Sequence, residues 1–257
     1  MFIEIKDASR SYHQNDGQET SALDSVNLKI AEGEFICLLG PSGCGKSTLL
    51  NIVAGFDRPS QGSIHVKGQE VTQPSVERIA IFQNYGLLPW RSVLRNVTLG
   101  LEATGMNAKA SRLLAEEYIE LVGLTEYKKH HPGQLSGGMQ QRVALARALA
   151  VDPKILLMDE PLGALDAMTR MSMQDEIERI WQKKMKTIIF VTHDIEEAVF
   201  LADRIVIMTP SPGKVKMVME VPLARKRDRT SPEFLKIRDQ IFKAFEFKGE
   251  DAWDYIL

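Results

Sequence analysis

The sequence predicts an α/β protein with a mainly parallel sheet, an antiparallel β piece near its N-terminus and an inserted helical segment. Short apolar runs that end in glycine-rich or acidic segments alternate with helical patterns, which is typical of parallel sheets. Before them, apolar and polar residues alternate, as in strands with one solvated face. The middle of the chain, residues 92–134, has helical periodicity and interrupts the strand–helix alternation.

The first residues predict the antiparallel piece. Phe2–Ile5 and Val26–Ile30 alternate apolar and polar side chains, and the polar segment between them, His13–Thr20, predicts a hairpin loop. Tyr12 lies just before this loop. Its position leaves two interpretations open: an aromatic plate on which the planar ring of a ligand could stack, or a half-buried strand tyrosine.

A glycine-rich segment follows the buried-strand pattern of Glu34–Leu39 and precedes the helical pattern of Leu49–Ala54. It fits G-x-x-x-x-G-K-[ST], the pattern of phosphate loops. Its members are Gly40, Pro41, Ser42, Gly43, Cys44, Gly45, Lys46, Ser47 and Thr48.

Each part of this loop has a physical reason. Gly43 and Gly45 lack a Cβ, so backbone N–H groups can close on an anion, and the helix start directs its own N–H groups to the same point. Lys46 adds a charge for the β- and γ-phosphates, and Ser47 offers a hydroxyl ligand to Mg²⁺. The sequence therefore predicts that the chain binds a nucleoside triphosphate.

The next patterns are two short strands and a loop. Gly62–Gly68 and Ile79–Gln83 predict strands, and the second ends on a polar amide. Leu87–Arg91 sets bulky apolar side chains beside a proline and predicts a loop. Composition leaves open whether this loop forms a small apolar cluster under a helix or a surface for a partner.

Two helical patterns follow. From Ala108 to Val122, apolar residues recur at helical spacing, and Gly123 is a typical helix end. The predicted buried stripe consists of Leu113, Leu114, Tyr118, Ile119 and Leu121. Leu135–Arg142, with the sequence LSGGMQQR, opens an alanine-rich helix that we expect to reach about Ala150. Ser136 is a suitable N-cap for it, and the residues allow either a second anion-binding helix start or a plain capped helix.

Two later strands end on ionisable side chains. Lys154–Pro161 predicts a strand buried on both faces that ends on Asp159 and Glu160, at the sheet edge where ligands of parallel sheets bind. One carboxylate can hold the Mg²⁺ shell through water, and its neighbour can accept a proton from an attacking water. After a turn and an amphipathic helix over 167–184, Thr187–His193 predicts another strand. Its histidine is either a plain strand-end donor or within reach of a γ-phosphate.

The last segment predicts two strands, Arg204–Met208 and Lys214–Val221, and then a charged run. We expect Arg225–Arg229 to be a solvated linker and Ser231-Pro232 to start a closing helix.

Composition excludes several classes of protein. A net charge of −2 over 257 residues gives no basic footprint for wrapping nucleic acid. The two cysteines, Cys37 and Cys44, suggest no disulfide framework and favour a reducing compartment. The sequence has neither an apolar run long enough to cross a bilayer nor a signal-peptide layout, so we expect a soluble chain that acts on a membrane only through another chain.

With the phosphate loop, Leu135–Arg142 and Ile155–Pro161 together, the chain resembles the ATPase subunits of ABC transporters over nearly its whole length. LSGGMQQR is the most specific part, because other phosphate-loop classes lack it. The resemblance implies one ABC ATPase domain, residues 1–257. Its parts would be a P-loop NTPase core with the antiparallel piece (1–87 and 154–222), a helical subdomain (88–153) and a C-terminal helical extension (223–257).

The resemblance also implies ATP and Mg²⁺ as cofactors and a role for each site residue. Glu160 matches the catalytic base, and His193 matches the γ-phosphate histidine. Gln83 matches the glutamine that senses Mg²⁺ and the attacking water. Together with Lys46 of the phosphate loop, these are the implied catalytic residues. The implied metal ligands are Ser47, Gln83 and Asp159. Beyond the phosphate loop, the implied nucleotide contacts are Tyr12 as adenine plate, Ser136, Gly137, Gly138 and Gln140 of the signature, and Asp166 of the dimer-crossing loop.

The resemblance implies that two such subunits stack head to tail, expected here as a homodimer, so that Ser136 and Gly138 of one chain clamp the γ-phosphate held by Lys46 of the other. A transmembrane permease would dock beside Gln83 and Leu87–Arg91. An extracytoplasmic solute-binding protein would act indirectly. We expect the chain at the cytoplasmic face of the membrane, as a peripheral subunit without a nucleic-acid partner.

Leu88–Arg91 and Arg225–Phe245 are similar to the nitrate, sulfonate and taurine importer branch, so the expected function is to power import of a small anionic solute. Three alternatives stay open. One is an ABC ATPase of another importer or an exporter, and one is a soluble ABC protein without a transport function. The third is a nucleotide-switched scaffold without hydrolysis, against which the presence of Glu160 argues.

Overall fold

A computed structural model describes residues 1–13, 19–82 and 84–245. These described residues form two compact units, one within 1–73 and 187–245 and the other within 74–186. The predicted Gln83 and most of the predicted hairpin loop lie outside the described residues. Within the described part of the chain, no helix is both long enough and apolar enough to cross a membrane.

The first unit contains the predicted antiparallel sheet. Its strands lie in the order β2-β1-β4-β5. They are β1 (Ile3–His13), β2 (Glu19–Ile30), β4 (Gln61–Val66) and β5 (Gln69–Glu70). In the second half of β2 buried and exposed residues alternate, as predicted for a sheet with one solvated face.

The same unit contains parallel strands around β3 (Phe35–Leu39), which pairs in parallel with β8 (Thr187–Thr192) and with β9 (Arg204–Met208). Every residue of β3 and β8 is buried, which explains their continuous apolar runs. On the far side of β9, β10 (Val215–Glu220) pairs antiparallel. The carboxyl ends of β3 and β8 thus lie side by side and carry the phosphate loop and His193.

Among its described residues, this unit contains the helices α1 (Lys46–Ala54), α6 (Ile195–Leu201) and α7 (Pro232–Phe245). The segment between β10 and α7 corrects one prediction. Arg227, expected in a solvated linker, is only 7% exposed. Its guanidinium donates to carbonyl oxygens at the end of α6, those of Val199 (2.7 Å), Phe200 (3.0 Å) and Ala202 (2.7 Å). A helix end leaves its last carbonyls without intrahelical partners, and this arginine supplies them.

The second unit combines two parallel strands with helices. Strand β6 (Arg78–Ile81) pairs with β7 (Ile155–Asp159). The helices are α2 (Val93–Ala103), α3 (Ala108–Leu121), α4 (Gly137–Ala150) and α5 (Ala167–Lys184). Helices α2, α3 and α4 pack against one another, which confirms the predicted helical segment.

The predicted buried stripe of α3 is partly wrong. Leu113 is 58% exposed, whereas the small residues Ser111 and Ala115 are buried together with Tyr118 and Ile119. The real stripe follows the same helical period but is rotated toward the small side chains. Hydrophobicity alone missed it, because small residues allow the close approach of a neighbouring helix.

Candidate functional site

The phosphate loop connects β3 to α1 and depends on two glycines in the left-handed region. Gly43 has φ +77° and Gly45 has φ +87°. A Cβ on Gly45 would lie 2.6 Å from both the carbonyl oxygen of Ala22 and Cδ2 of Leu23, so β2 leaves no room for a side chain. The loop is therefore held closely against the antiparallel sheet, and its path fixes where α1 begins.

The start of α1 fits an anionic ligand. Its N-cap residue, Gly45, has no side chain that could cap the helix, and the first turn, Lys46-Ser47-Thr48, contains no acidic residue. Lys46 is 5% exposed, and its Nζ donates to the carbonyl oxygens of Gly40 (2.6 Å) and Pro41 (2.9 Å). The ammonium is thus held at the loop by carbonyl oxygens, which a phosphate could replace as its partners.

Cys44 lies inside this loop but is not a reactive thiol. Its side chain is buried, with Sγ 3.8 Å from Nζ of Lys46. Burial raises the pKa of the Cys44 thiol, and the neighbouring ammonium offsets this only in part. The thiol is therefore protonated at neutral pH and serves as packing.

Tyr12, near the end of β1, is 39% exposed, and its hydroxyl donates to Oδ2 of Asp57 at 2.9 Å. The guanidinium of Arg10 lies over the ring, 4.6 Å from its centroid. Arg10 also donates from Nε to Oδ2 of Asp57 at 3.0 Å. Tyr12 is thus a fixed, partly exposed ring rather than a core residue.

His193 follows β8 directly and is half-buried. The residues on either side of it are held by a buried network. Thr192 Oγ1 lies 2.6 Å from Oε2 of Glu197 and accepts the Asp194 backbone N–H at 3.0 Å. Asp194 in turn caps α6, since Oδ1 accepts the N–H groups of Glu196 (2.8 Å) and Glu197 (3.1 Å). This network fixes the backbone on both sides of the histidine.

In the second unit, the LSGGMQQR segment begins α4 as predicted. Ser136 is exposed and caps the helix, with Oγ accepting the Met139 N–H at 3.3 Å. A Cβ on Gly138 would lie 2.5 Å from Cγ2 of Thr169, so this glycine allows α4 to pack closely on the start of α5. Gln140 is half-buried, and its Nε2 donates to the Leu135 carbonyl at 3.2 Å.

Asp166 caps α5 beside that packing contact, accepting the Thr169 N–H at 3.1 Å. The hydrogen bond from Thr169 lowers the pKa of the Asp166 carboxyl. Because Thr169 also contacts Gly138, the structure brings the signature segment and the predicted dimer-crossing aspartate together on one face of this unit.

Asp159 ends β7, and Glu160 follows it; both are half-buried. Glu160 has φ +43°, a left-handed conformation that costs a residue with a side chain about 1–2 kcal/mol. Its carbonyl oxygen accepts the Gly163 N–H at 3.2 Å. Such strain is typical of functional positions, where the surrounding structure holds a side chain in one orientation.

Comparison with known proteins decides the family. The sequence profile described as ABC transporter matches residues 23–163. An ABC transporter ATP-binding protein of Methanocaldococcus jannaschii, itself uncharacterised, is 49% identical over 239 residues, covering 93% of this chain and 89% of the relative. The chain belongs to the ABC transporter family. It is an ATP-hydrolysing cassette of that family.

Other similar proteins have more specific names. A nitrate import ATP-binding protein of Synechococcus elongatus is 46% identical, covering 85% of this cassette and 82% of the relative. A bicarbonate transport ATP-binding protein of Synechocystis is 45% identical, covering 93% of this cassette and 86% of the relative. A solved dimeric ABC transporter cassette is 35% identical with a TM-score of 0.77, covering 86% of this cassette and 100% of that chain. A second solved cassette, described as a post-hydrolysis state bound to ADP and Pi, has a TM-score of 0.76 at 34% identity over 86% of this cassette and 100% of that chain.

One contact of the cassette has no local signal in the sequence. Tyr85 and Gly86, just after Gln83, adopt consecutive left-handed conformations with φ +59° and +55°. Arg147 of α4 donates to both carbonyls, at 2.8 Å to Tyr85 and 2.6 Å to Gly86. The loop that follows Gln83 is thereby attached to the helix that begins at the signature. The positions are about sixty residues apart, so no local pattern indicates this contact.

Leu87–Arg91, which composition left ambiguous, has properties of both interpretations. Leu88 is half-buried, and its backbone is held by the buried Asn96, whose Oδ1 accepts the Leu88 N–H at 2.8 Å. Trp90 is 72% exposed. The loop is therefore anchored from below while a large aromatic side chain remains on its surface.

Proposed function

We propose that this cassette powers the import of a small anionic solute, such as nitrate, a sulfonate or taurine, by hydrolysing ATP between two copies of itself. One observation most strongly supports the part of this proposal that concerns ATP bound between two copies. Two helix starts suited to an anion, α1 at Lys46 and α4 at Ser136, belong to separate compact units of the chain. In the proposed dimer each helix start is half of a site, and the second copy completes it.

In the proposed site, the phosphate loop and Lys46 hold the triphosphate, with Tyr12 as the plate for adenine. Ser47, Gln83 and Asp159 would hold Mg²⁺, which would supply positive charge beside the phosphates. The donors suit this ion, since a hydroxyl, an amide and a carboxylate supply the oxygen ligands that Mg²⁺ requires.

Hydrolysis then needs a base and a stabilising donor. Glu160 accepts a proton from water as the water oxygen bonds to the γ-phosphorus, and the bond to the β-phosphate oxygen breaks to give ADP and inorganic phosphate. His193 donates to a γ-phosphate oxygen. The network around Thr192 and the left-handed backbone of Glu160 support these roles, because both fix the backbone from which the functional side chain extends before substrate arrives.

For assembly we propose a head-to-tail homodimer, in which Ser136, Gly138 and Gln140 of one copy and Asp166 beside them contact the ATP of the other. The exposure of Ser136 and the absence of acidic residues from the first turn of α4 support this arrangement. Two ATP molecules would then lie across a two-fold axis. Closure assembles groups that no single chain provides, and hydrolysis releases them.

For transport we propose a peripheral location on the cytoplasmic face, with a permease docked beside Gln83 and Leu87–Arg91 and a solute-binding protein acting indirectly. The exposed Trp90 on an anchored loop supports docking there. The names of two relatives support a small anion as solute. We further propose a single domain, residues 1–257. Its core would be 1–87 and 154–222, its helical subdomain 88–153 and its C-terminal extension 223–257.

The proposal predicts that Ser136 acts on the other copy's nucleotide. Ser136→Asp retains a good N-cap but places a negative charge where the γ-phosphate would be clamped. ATP binding by the monomer should be unchanged, whereas ATP-dependent pairing and ATPase activity should be lost. Ser136→Asn, a neutral cap of the same size, is the control and should retain pairing. Loss of monomer binding in Ser136→Asp, or full activity, would contradict the proposal.

A further inference from the structure

The proposed adenine plate is fixed by two charged residues. Tyr12 donates from its hydroxyl to Oδ2 of Asp57 at 2.9 Å. Arg10 holds the same carboxylate with two nitrogens, Nε to Oδ2 at 3.0 Å and a terminal nitrogen 2.9 Å from Oδ1. The two-point geometry and the partial burial of both side chains distinguish this ion pair from a loose surface pair. We call Arg10, Tyr12 and Asp57 the ring clamp.

The ring clamp determines which face of the ring is available. The guanidinium carbon of Arg10 lies 4.6 Å from the Tyr12 ring centroid, so one face is covered by the cation. A stacking base would therefore have to use the opposite face, and Tyr12 is 39% exposed. The stack would then consist of guanidinium, phenol ring and base in sequence.

The ring clamp also connects the plate to the phosphate loop. Asp57 lies three residues beyond α1, and its backbone N–H contacts the Asn51 carbonyl within that helix at 3.4 Å. The start of the same helix carries Lys46. On the strand side, the Ser11 backbone N–H donates to Ser60 Oγ at 3.2 Å, next to Tyr12. The ring is therefore connected, through Asp57, to the helix that is proposed to bind the phosphates.

We infer that Arg10 and Asp57 are positioning residues for the nucleotide base: they hold Tyr12 in a stacking orientation before ATP arrives. This inference rests on the proposed role of Tyr12. An exposed tyrosine without the clamp would rotate, and stacking would have to immobilise it. Ordering one such side chain weakens binding by roughly two- to tenfold. Arg10 and Asp57 both lie outside the phosphate loop, so we expect the clamp to affect only ligands that carry a base.

The test compares two probes in the full chain, ATP and inorganic tripolyphosphate, whose affinities are measured by calorimetry. Tyr12→Ala should weaken ATP binding by roughly tenfold or more, since it removes the stacking of the base on the ring. Asp57→Ala should weaken ATP by about two- to tenfold. Neither substitution should change the affinity for tripolyphosphate. In the Tyr12→Ala background, Asp57→Ala should have no further effect, because Asp57 acts through the ring.

Each outcome is decisive. If Tyr12→Ala weakens ATP but Asp57→Ala and Arg10→Met do not, the ring clamp is overturned and the proposed plate stands. Equal weakening of ATP and tripolyphosphate by Asp57→Ala would also overturn it, because Asp57 would then act through α1. If Tyr12→Ala leaves ATP binding unchanged, the proposed plate itself fails. Asp57→Asn retains an acceptor for the Tyr12 hydroxyl, and the inference requires it to restore part of the loss.

Discussion

Gly45→Ala gives a quantitative test of how the phosphate loop is held. The substitution adds one methyl group at a residue with φ +87°, and that methyl would lie 2.6 Å from the Ala22 carbonyl oxygen and from Cδ2 of Leu23. Leucine can move, but Ala22 O is backbone and accepts the Gly213 N–H at 2.9 Å. The clash therefore moves the loop rather than β2.

Two contributions set the expected loss of unfolding free energy. A left-handed conformation costs an alanine about 1–2 kcal/mol more than a glycine. The steric clash adds about 1–3 kcal/mol, as overpacked sites typically do. The sum is roughly 2–5 kcal/mol, a large fraction of the stability of an ordinary domain. The affinity for ATP should fall as well, because a shift of the loop moves Lys46 away from the position at which it would meet the phosphates.

Gly68→Ala is the matched control. Gly68 lies in the turn between β4 and β5 with φ +78°, and no described atom comes within 4 Å of a Cβ placed there. It should lose only the conformational part, about 1–2 kcal/mol, and retain ATP affinity. Urea unfolding gives both free energies, and calorimetry gives both affinities. Equal losses in the two variants would show that β2 does not confine the loop.

Two further predictions concern buried groups. Arg227→Met should lower the free energy of unfolding in urea by about 2–5 kcal/mol, because it leaves buried carbonyls at the end of α6 without donors. Lys226→Gln, at the exposed neighbouring position, is the control and should change this free energy little. Near-equal stabilities of the two variants would show that Arg227 does not cap α6. Burial raises the pKa of both the Cys37 and Cys44 thiols, so iodoacetamide should react slowly with the folded chain at pH 7 and faster as the pH rises. Reaction of the folded chain at the rate of the urea-unfolded chain would contradict this.

The sequence predicted those parts of the site whose chemistry is local. The phosphate loop, the cap at Ser136 and the strand that ends on Asp159 each depend on neighbours within a few residues, where glycine, cap and periodicity rules apply. The fold class follows from the same patterns. The resemblance added roles that spacing alone does not supply, such as that of Asp166.

Long-range polar contacts could not be predicted in this way. Asp57 meets Tyr12 across 45 positions, and Arg147 meets Gly86 across 61. In both cases the sequence contains only an ordinary charged residue on an exposed or helical segment. The charged run around Arg227 predicts a solvated segment for the same reason, because a run of charges does not indicate which backbone carbonyls will lie beside it in the fold. Such partners become visible only when tertiary structure brings the segments together.

The mass of Glu160→Gln in solution tests most directly whether two copies enclose ATP. The substitution removes the proposed base but retains the size of the side chain, so ATP should bind and remain intact. Light scattering of this variant with ATP and Mg²⁺ should give twice the 28.9 kDa of one chain. The mass of a single chain is expected when ADP replaces ATP, or when the same chain also carries Ser136→Asp. A single-chain mass at saturating, demonstrably bound ATP, or normal hydrolysis by Glu160→Gln, would contradict the shared site.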